Sequence, residues 1–374
     1  MFKVICNQKE LMKALSESQK AVGVKTTMDI LKNFYIEAFD NSIKVVGYNL
    51  EIGISSIVNA NVIEKGKVSI EAKLFSNIIN KLPNEEITLY LDGDSLKIEC
   101  KKSKFSIKCS NAEEFPSIPT VDESKSITLN SKLFKEMVKE TVFATSEDQT
   151  KPILTGELLK IKDNKLTLVA IDGYRLAVSE TSLSSNVEDT NLIIPGKTLN
   201  DITSLVSNSE EFKMGFNDSH IIFNINKTTV VSRLLDGEFI DYSKLIKSEH
   251  ASTVTVNRKE LLDSVDRISL LSHEKNNLIK LNIRDNFMQI SSNNNAGDGT
   301  EEVSIELSGD YLDIAFNSRY FIDALKNMDC ENLILNFSTN VNPCLMNPIA
   351  KDDKDNNKEY LYLLLPVRVS SSNY

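Results

Sequence analysis

A nine-residue pattern recurs three times at near-constant spacing, and it limits the folds open to this chain more than any other feature. Asn7-Gln8-Lys9-Glu10-Leu11-Met12-Lys13-Ala14-Leu15 aligns with Asn130-Ser131-Lys132-Leu133-Phe134-Lys135-Glu136-Met137-Val138 and with Asn257-Arg258-Lys259-Glu260-Leu261-Leu262-Asp263-Ser264-Val265, at intervals of 123 and 127 residues. In each copy the Asn is placed to cap a helix, and the apolar fifth and ninth positions share one helical face. A second set opens at Glu71-Ala72-Lys73, Pro195-Gly196-Lys197 and Asn317-Ser318-Arg319, offset from the first by 64, 65 and 60 residues. The chain therefore reads as three units of about 120 residues, each with two half-units and one helix per half.

Between the helices the pattern is that of strands. Phe34 to Phe39, Ser42 to Tyr48, Ile87 to Leu91, Ser95 to Cys100, Phe105 to Cys109, His220 to Ile225, Thr229 to Leu234, Leu278 to Ile283, Phe287 to Ser291 and Tyr360 to Leu365 are apolar or alternating runs. Turn residues such as Asp40-Asn41, Asp92-Gly93-Asp94 and Asp163-Asn164 stand at the corners. Each unit then reads as two βαβββ halves whose helices pack on antiparallel sheets, an α+β class. The two prolines in Phe115-Pro116-Ser117-Ile118-Pro119 and the polar stretch Lys244 to Ser252 place the breaks. The domains expected are 1–121, 122–247 and 248–374. Asn293 to Gly299 and Lys351 to Lys358 read as solvated loops.

Composition excludes several classes. No apolar run approaches the roughly 20 residues that span a bilayer, and the opening Met1-Phe2-Lys3-Val4-Ile5-Cys6 turns polar at once, so the expected location is the cytoplasm, with no membrane partner. Five scattered cysteines (Cys6, Cys100, Cys109, Cys330, Cys344) form no Cys-x-x-Cys pair, and His220, His250 and His273 lie far apart. No metal, cofactor or general-base cluster is expected. The net charge of −10 argues against nucleic acid, unless the basic residues are gathered on one surface.

They are placed for that. The third residue of all six helix openings is basic: Lys9, Lys73, Lys132, Lys197, Lys259 and Arg319. That position lies about 200° round the helix from the apolar fifth, so it faces away from the core. A cation in the first turn opposes the helix dipole, so helix stability does not select it. Exposed lysines at tolerant positions are the plain reading; cations aimed at a common polyanion are the sharper one, and such contacts are salt-sensitive and blind to base sequence.

One hairpin stands apart. Leu166 to Ile171 alternates as a buried strand, Asp172-Gly173 forms a turn that needs a positive φ, and an apolar run resumes at Leu176, which presents Tyr174 and Arg175 side by side.

The chain resembles the bacterial DNA polymerase III beta subunit, the sliding clamp, over its whole length. The stretches that carry the resemblance include Asn49-Leu50-Glu51-Ile52, Glu114-Phe115-Pro116, Lys151-Pro152-Ile153-Leu154-Thr155-Gly156, Ala170 to Ala177, Arg233 to Phe239, Leu271-Ser272-His273-Glu274-Lys275 and Leu365-Pro366-Val367-Arg368. The resemblance implies a head-to-tail dimeric ring round double-stranded DNA, bound without sequence preference. It also implies a processivity factor with no catalytic site, partnered by the replicative polymerase alpha subunit, the clamp loader delta subunit and other clamp-motif proteins. Carried over by position, a partner-peptide pocket would use Leu154, Ile171, Gly173, Tyr174, Arg175, Leu176, Ile240, Leu245, Tyr320, Val341, Pro343, Leu363, Leu365, Pro366, Val367 and Arg368. On the residues alone, exposed aliphatics rimmed by Tyr and Arg suit that role. Phe105, Ile107, Leu270 and Leu271 would form the dimer seam. Lys25, Lys151 and Lys197 best match residues that touch DNA.

Three departures bear on the pocket. Phe239-Ile240-Asp241-Tyr242 replaces the family's Phe-Pro-Asp-Tyr, Met28-Asp29 stands where Pro precedes Ile30-Leu31, and the tail Val369 to Tyr374 runs past the usual end. A clamp paralogue that does not serve the main replicase, and an α+β repeat enzyme, are the rival readings. The enzyme would need a nucleophile and base, or a carboxylate pair, that no spacing predicts.

Overall fold

The structure, a computed structural model, describes residues 2–24, 26–121, 126–183, 187–206, 210–246, 249–272, 277–349 and 358–368. Every half-unit follows the expected order of one strand, one helix and three strands. The six helices are α1 (Gln8–Ser18), α2 (Ala72–Lys81), α3 (Ser131–Thr141), α4 (Gly196–Val206), α5 (Arg258–Ser269) and α6 (Ser318–Asn327). The predicted caps form: Asn7, Asn130 and Asn257 accept backbone N–H bonds from the first turns of α1, α3 and α5, and Glu71 and Asn317 do the same for α2 and α6. The first residue of the leading helix in each repeat donates its backbone N–H to an equivalent carbonyl: Gln8 to Glu85 at 3.0 Å, Ser131 to Glu210 at 2.9 Å and Arg258 to Glu331 at 2.9 Å. The repeat is thus structural as well as textual.

The chain divides into two compact units, Met1–Lys135 with Lys197–Leu234, and Glu136–Gly196 with Leu235–Tyr374. Each contains one twelve-stranded sheet. In the first unit the sheet runs Lys3–Asn7, Glu86–Asp92, Ser95–Cys100, Ser103–Ser110, Gly66–Glu71, Asn33–Phe39, Ser42–Tyr48, Ile52–Glu64, Thr228–Arg233, His220–Ile225, Glu211–Phe216 and Ile127–Asn130. Alternation decides which face is buried; in Ser95–Cys100, for example, Leu96, Ile98 and Cys100 point inward. Leu11 and Leu15 of α1 and Phe75 and Ile79 of α2 close on Phe34 and Ile36, all without solvent exposure, and each such side chain contributes about 2 kcal/mol. Gln8 Nε2 donates to the Ile79 carbonyl at 2.8 Å, which ties the start of α1 to the end of α2.

In the second unit the order is Thr190–Pro195, Gly156–Lys162, Lys165–Ile171, Arg175–Ser182, Lys358–Leu364, Cys344–Pro348, Asn332–Phe337, Ser252–Asn257, Gly297–Gly309, Phe287–Asn294, Leu278–Ile283 and Leu312–Asn317. Leu261 and Val265 of α5 pack with Phe321 and Leu325 of α6. Arg258 repeats the Gln8 tie, donating through Nη1 to Leu325 O and through Nε to Cys330 O, both at 2.9 Å.

The units cut across the three sequence repeats because the sheets do not stop at repeat boundaries. Ile52–Ser56 pairs with Ser232–Thr228, and Arg175–Thr181 pairs with Leu364–Lys358. The strands of the middle repeat are shared out between its two neighbours. Asn293 to Gly299 is not the loop expected. It lies in a tight hairpin, with Asn294 paired to Gly297 and Asn294 Oδ1 accepting from the N–H groups of Ala296 and Gly297. The last strand begins at Lys358 and ends at Leu364, one residue short of the expected Leu365. Residues 350–357, most of the second expected loop, lie outside the described residues. The five cysteines are unbridged and all but Cys109 are buried.

One buried acid escapes sequence reasoning. Glu157, in Gly156–Lys162, has no solvent exposure. Its Oε2 lies 2.7 Å from Thr141 Oγ1 at the end of α3, and its Oε1 has no partner. The Thr141 hydroxyl has one proton, and the Met137 carbonyl 2.8 Å away takes it. An ionised Glu157 could only compete with Met137 for that proton, whereas a neutral, buried Glu157 donates its own proton to Thr141 Oγ1 and both contacts are satisfied. Burial pushes its pKa from 4.5 up to about 8.

Candidate docking site

The hairpin Lys165–Ile171 and Arg175–Ser182 turns through Asp172-Gly173-Tyr174, with Gly173 at φ +96° as its sequence demands. Asp172 Oδ1 accepts the backbone N–H groups of Tyr174 and Arg175 at 2.8 and 3.0 Å. The chain at Leu365 donates its N–H to the Tyr174 carbonyl at 2.9 Å. This bond and the register Leu176 to Leu363 bring the hairpin beside the last strand, some 190 residues on in sequence.

Behind the turn lies a small apolar cluster of Leu154, Ile171, Leu176, Leu345 and Leu363, on which Phe239, Tyr242 and Ile246 pack. The expectation of exposed aliphatics is corrected here. Leu154, Ile171, Leu176 and Leu363 are all buried, Leu176 completely, and they form a floor rather than contact points. The accessible apolar surface is supplied by Tyr174, Ile240, Leu245 and Leu365, which are exposed. Leu345 was not legible as part of this cluster, because it joins only by pairing with Leu363 in the sheet.

Arg175 is the larger correction. Expected on a rim, it is only 9% exposed. Its Nε donates to Asp172 Oδ2 at 2.9 Å and its Nη1 to Asp323 Oδ2 at 2.7 Å. The guanidinium carbon lies 4.4 Å from the ring centroid of Tyr320 and 5.5 Å from that of Phe143. Burial works against its charge, but Tyr362, Asp323 and Asp172 outweigh it and hold its pKa above the ordinary value. Tyr174 and Tyr320 stack at 6.0 Å and 23°. Pro343 is half-buried after the exposed Val341. Val341, Val367 and Arg368 line a groove of about 420 Å³ with Lys280, Asn282 and Gln289, distinct from the Leu154 cluster. Pro366 is half-buried between Leu365 and Val367. The tail Val369 to Tyr374 lies outside the described residues.

All six repeated cations, Lys9, Lys73, Lys132, Lys197, Lys259 and Arg319, are exposed, as the helical arithmetic requires. Lys259 differs in being tied to Asp263 at 2.9 Å. Lys151 is exposed, and Lys25 lies outside the described residues, as do His273, Glu274 and Lys275.

Besides the strands that end the sheets, such as Ile127–Asn130 and Thr190–Pro195, two stretches have an open edge among the described residues. Residues 103–108 pair only with Ser95–Cys100, and residues 297–304 pair only with Phe287–Asn294. Phe105 is exposed on the first edge. Ile107, also expected at a seam, lies on the same face as Phe105 and is 7% exposed, packed with the core of its own unit. Near the second edge Leu270 is 81% exposed at the end of α5, and Leu271 lies so close to Gly299 that a Cβ there would stand 2.8 Å from its methyl.

Known proteins match from end to end. Models of the DNA polymerase III beta subunit N-terminal, central and C-terminal domains match residues 2–119, 128–241 and 243–367. The beta sliding clamp of Synechocystis sp. is 31% identical, over 98% of this chain and 99% of its own. The crystal structure of a putative DNA polymerase III beta subunit from Eubacterium rectale superposes with a TM-score of 0.93 at 33% identity, covering 99% of this chain and all of that one. The DNA polymerase sliding clamp of Bacillus subtilis gives the same TM-score at 29% identity, with the same coverage. Repeat, fold and matches together define a DNA sliding clamp, a processivity factor of replication. The chain belongs to the DNA polymerase III beta subunit family.

Proposed function

We propose that two copies join head to tail into a ring that encloses double-stranded DNA and tethers the polymerase to it, without a catalytic site or cofactor of its own. The observation that carries this reading is the pair of open edges. Two seams within the chain are already closed by strand pairing, 52–56 with 228–232 and 175–181 with 358–364. By the repeat, 103–108 corresponds to the second partner of those seams and 297–303 to the first. Edge 103–108 of one copy then pairs with edge 297–303 of the next, with Phe105, Leu270 and Leu271 beside it. Two different surfaces meeting in this way make a heterologous contact, which closes when the rotation allows and leaves neither of these two edges bare. The three repeats, 1–121, 122–247 and 248–374, would then supply six domains and twelve helices, with Lys25, Lys73, Lys132, Lys151, Lys197, Lys259 and Arg319 facing phosphates in a setting consistent with the cytoplasm.

The polymerase alpha subunit, the clamp loader delta subunit and other clamp-motif proteins would dock a short apolar peptide against Tyr174, Ile240, Leu245, Tyr320 and Leu365, and along the groove of Val341, Val367 and Arg368. The test of the topological reading is retention. Loaded protein is expected to stay on circular DNA and to run off once the circle is cut; equal retention on both forms overturns it.

A further inference from the structure

Arg175 reads no partner charge, because its own is matched within the chain. Asp172 and Asp323 both bond the guanidinium, Tyr320 lies against it, and little of it meets solvent. The two carboxylates differ in what else they do. Asp172 also holds the hairpin turn through two backbone bonds. Asp323 lies one turn beyond Tyr320 on α6, and its side chain is 43% exposed. The backbone at Tyr320 is fixed, since its carbonyl accepts the Tyr362 hydroxyl at 3.0 Å. Its ring has no such bond, and its orientation depends on what lies against it.

We propose that Asp323 is a positioning residue of the docking site: by holding Nη1 of Arg175 it keeps the guanidinium flat against Tyr320 and so sets the plane of the Tyr174–Tyr320 pair, which receives an aromatic side chain of the docked segment. This rests on the docking site proposed above. Without Asp323, Arg175 keeps Asp172, Tyr362 and Phe143 beside it but loses the tie at Nη1, and its contact with Tyr320 loosens. The aromatic selectivity of the site is then set by a residue that need not touch the partner, and an acidic residue in the partner is not required.

The test uses the full chain and two labelled hexapeptides, one carrying leucine and phenylalanine, the other with its phenylalanine replaced by leucine, read by fluorescence anisotropy. Asp323→Asn is expected to weaken the phenylalanine peptide about fivefold, the scale of one cation–π contact, and to leave the leucine peptide within about twofold. Asp323→Glu should restore most of the loss. Arg175→Lys, which keeps the charge but loses the flat fork, should show the same selective loss. Equal weakening of both peptides, no weakening of either, or normal binding by Arg175→Lys overturns the proposal. Leu365→Ala separates it from the reading beneath it. If that change weakens neither peptide, the docking site is wrong; if it weakens both while Asp323→Asn weakens neither, only the role of Asp323 fails.

Discussion

Replacing Glu157 by Gln should stabilise the protein, and by an amount that grows with pH. In the folded chain the carboxyl is protonated up to about pH 8, whereas its ordinary value is 4.5. Between those limits unfolding releases a proton, so the unfolded state binds fewer protons and stability falls as pH rises. The full contribution of the neutral acid is present below pH 4.5 and is lost as pH climbs through 8, after which the curve is flat. At pH 7 the gap is about 2.5 pH units at about 1.4 kcal/mol each, or roughly 3 kcal/mol of stability forgone. Gln has the same shape, offers an N–H to Thr141 Oγ1, and has no proton to lose. Glu157→Gln is therefore expected to raise unfolding free energy by about 3 kcal/mol at pH 7, and by under about 1 kcal/mol at pH 5. Urea unfolding of both proteins at pH 5, 6, 7 and 8 measures this. A difference independent of pH, or a variant less stable at pH 8, would refute the neutral-acid assignment and with it the reading of the Thr141 hydrogen bond.

Two further changes test other parts of the structure. Asp263→Asn frees Lys259 from its 2.9 Å ion pair; DNA affinity should rise, and the slope of log affinity against log salt should steepen by up to about 0.9, one phosphate contact, as read in a salt titration. Leu50 occupies, at φ +76°, the turn position that Gly173 fills in the next repeat, and it is 46% exposed. Leu50→Asn should relieve about 1 kcal/mol of strain and raise the melting temperature, and a lower one would show that Leu50 packs productively where it is.

The turn chemistry at Asp172-Gly173, the caps at Asn7, Asn130 and Asn257, and the outward aim of the six cations were legible because each depends on residues within one turn of one another. The burial of Arg175 was not, since the carboxylate that holds it comes from Asp323, 148 residues later. Nor was the burial of Glu157, a lone acid in an apolar strand that a sequence reader would send to solvent.

By itself the sequence determined the repeat, the order of strand and helix in every half-unit, and the direction each helix presents its cations, because these follow from local periodicity and local hydrogen bonds. Only the tertiary structure decided which strand edges are paired and which stay open, that the sheets run through repeat boundaries, and that the one arginine in the docking hairpin is neutralised from within. Those outcomes rest on contacts between residues far apart in the chain, and a linear pattern does not specify which distant partner satisfies a buried charge or a bare edge.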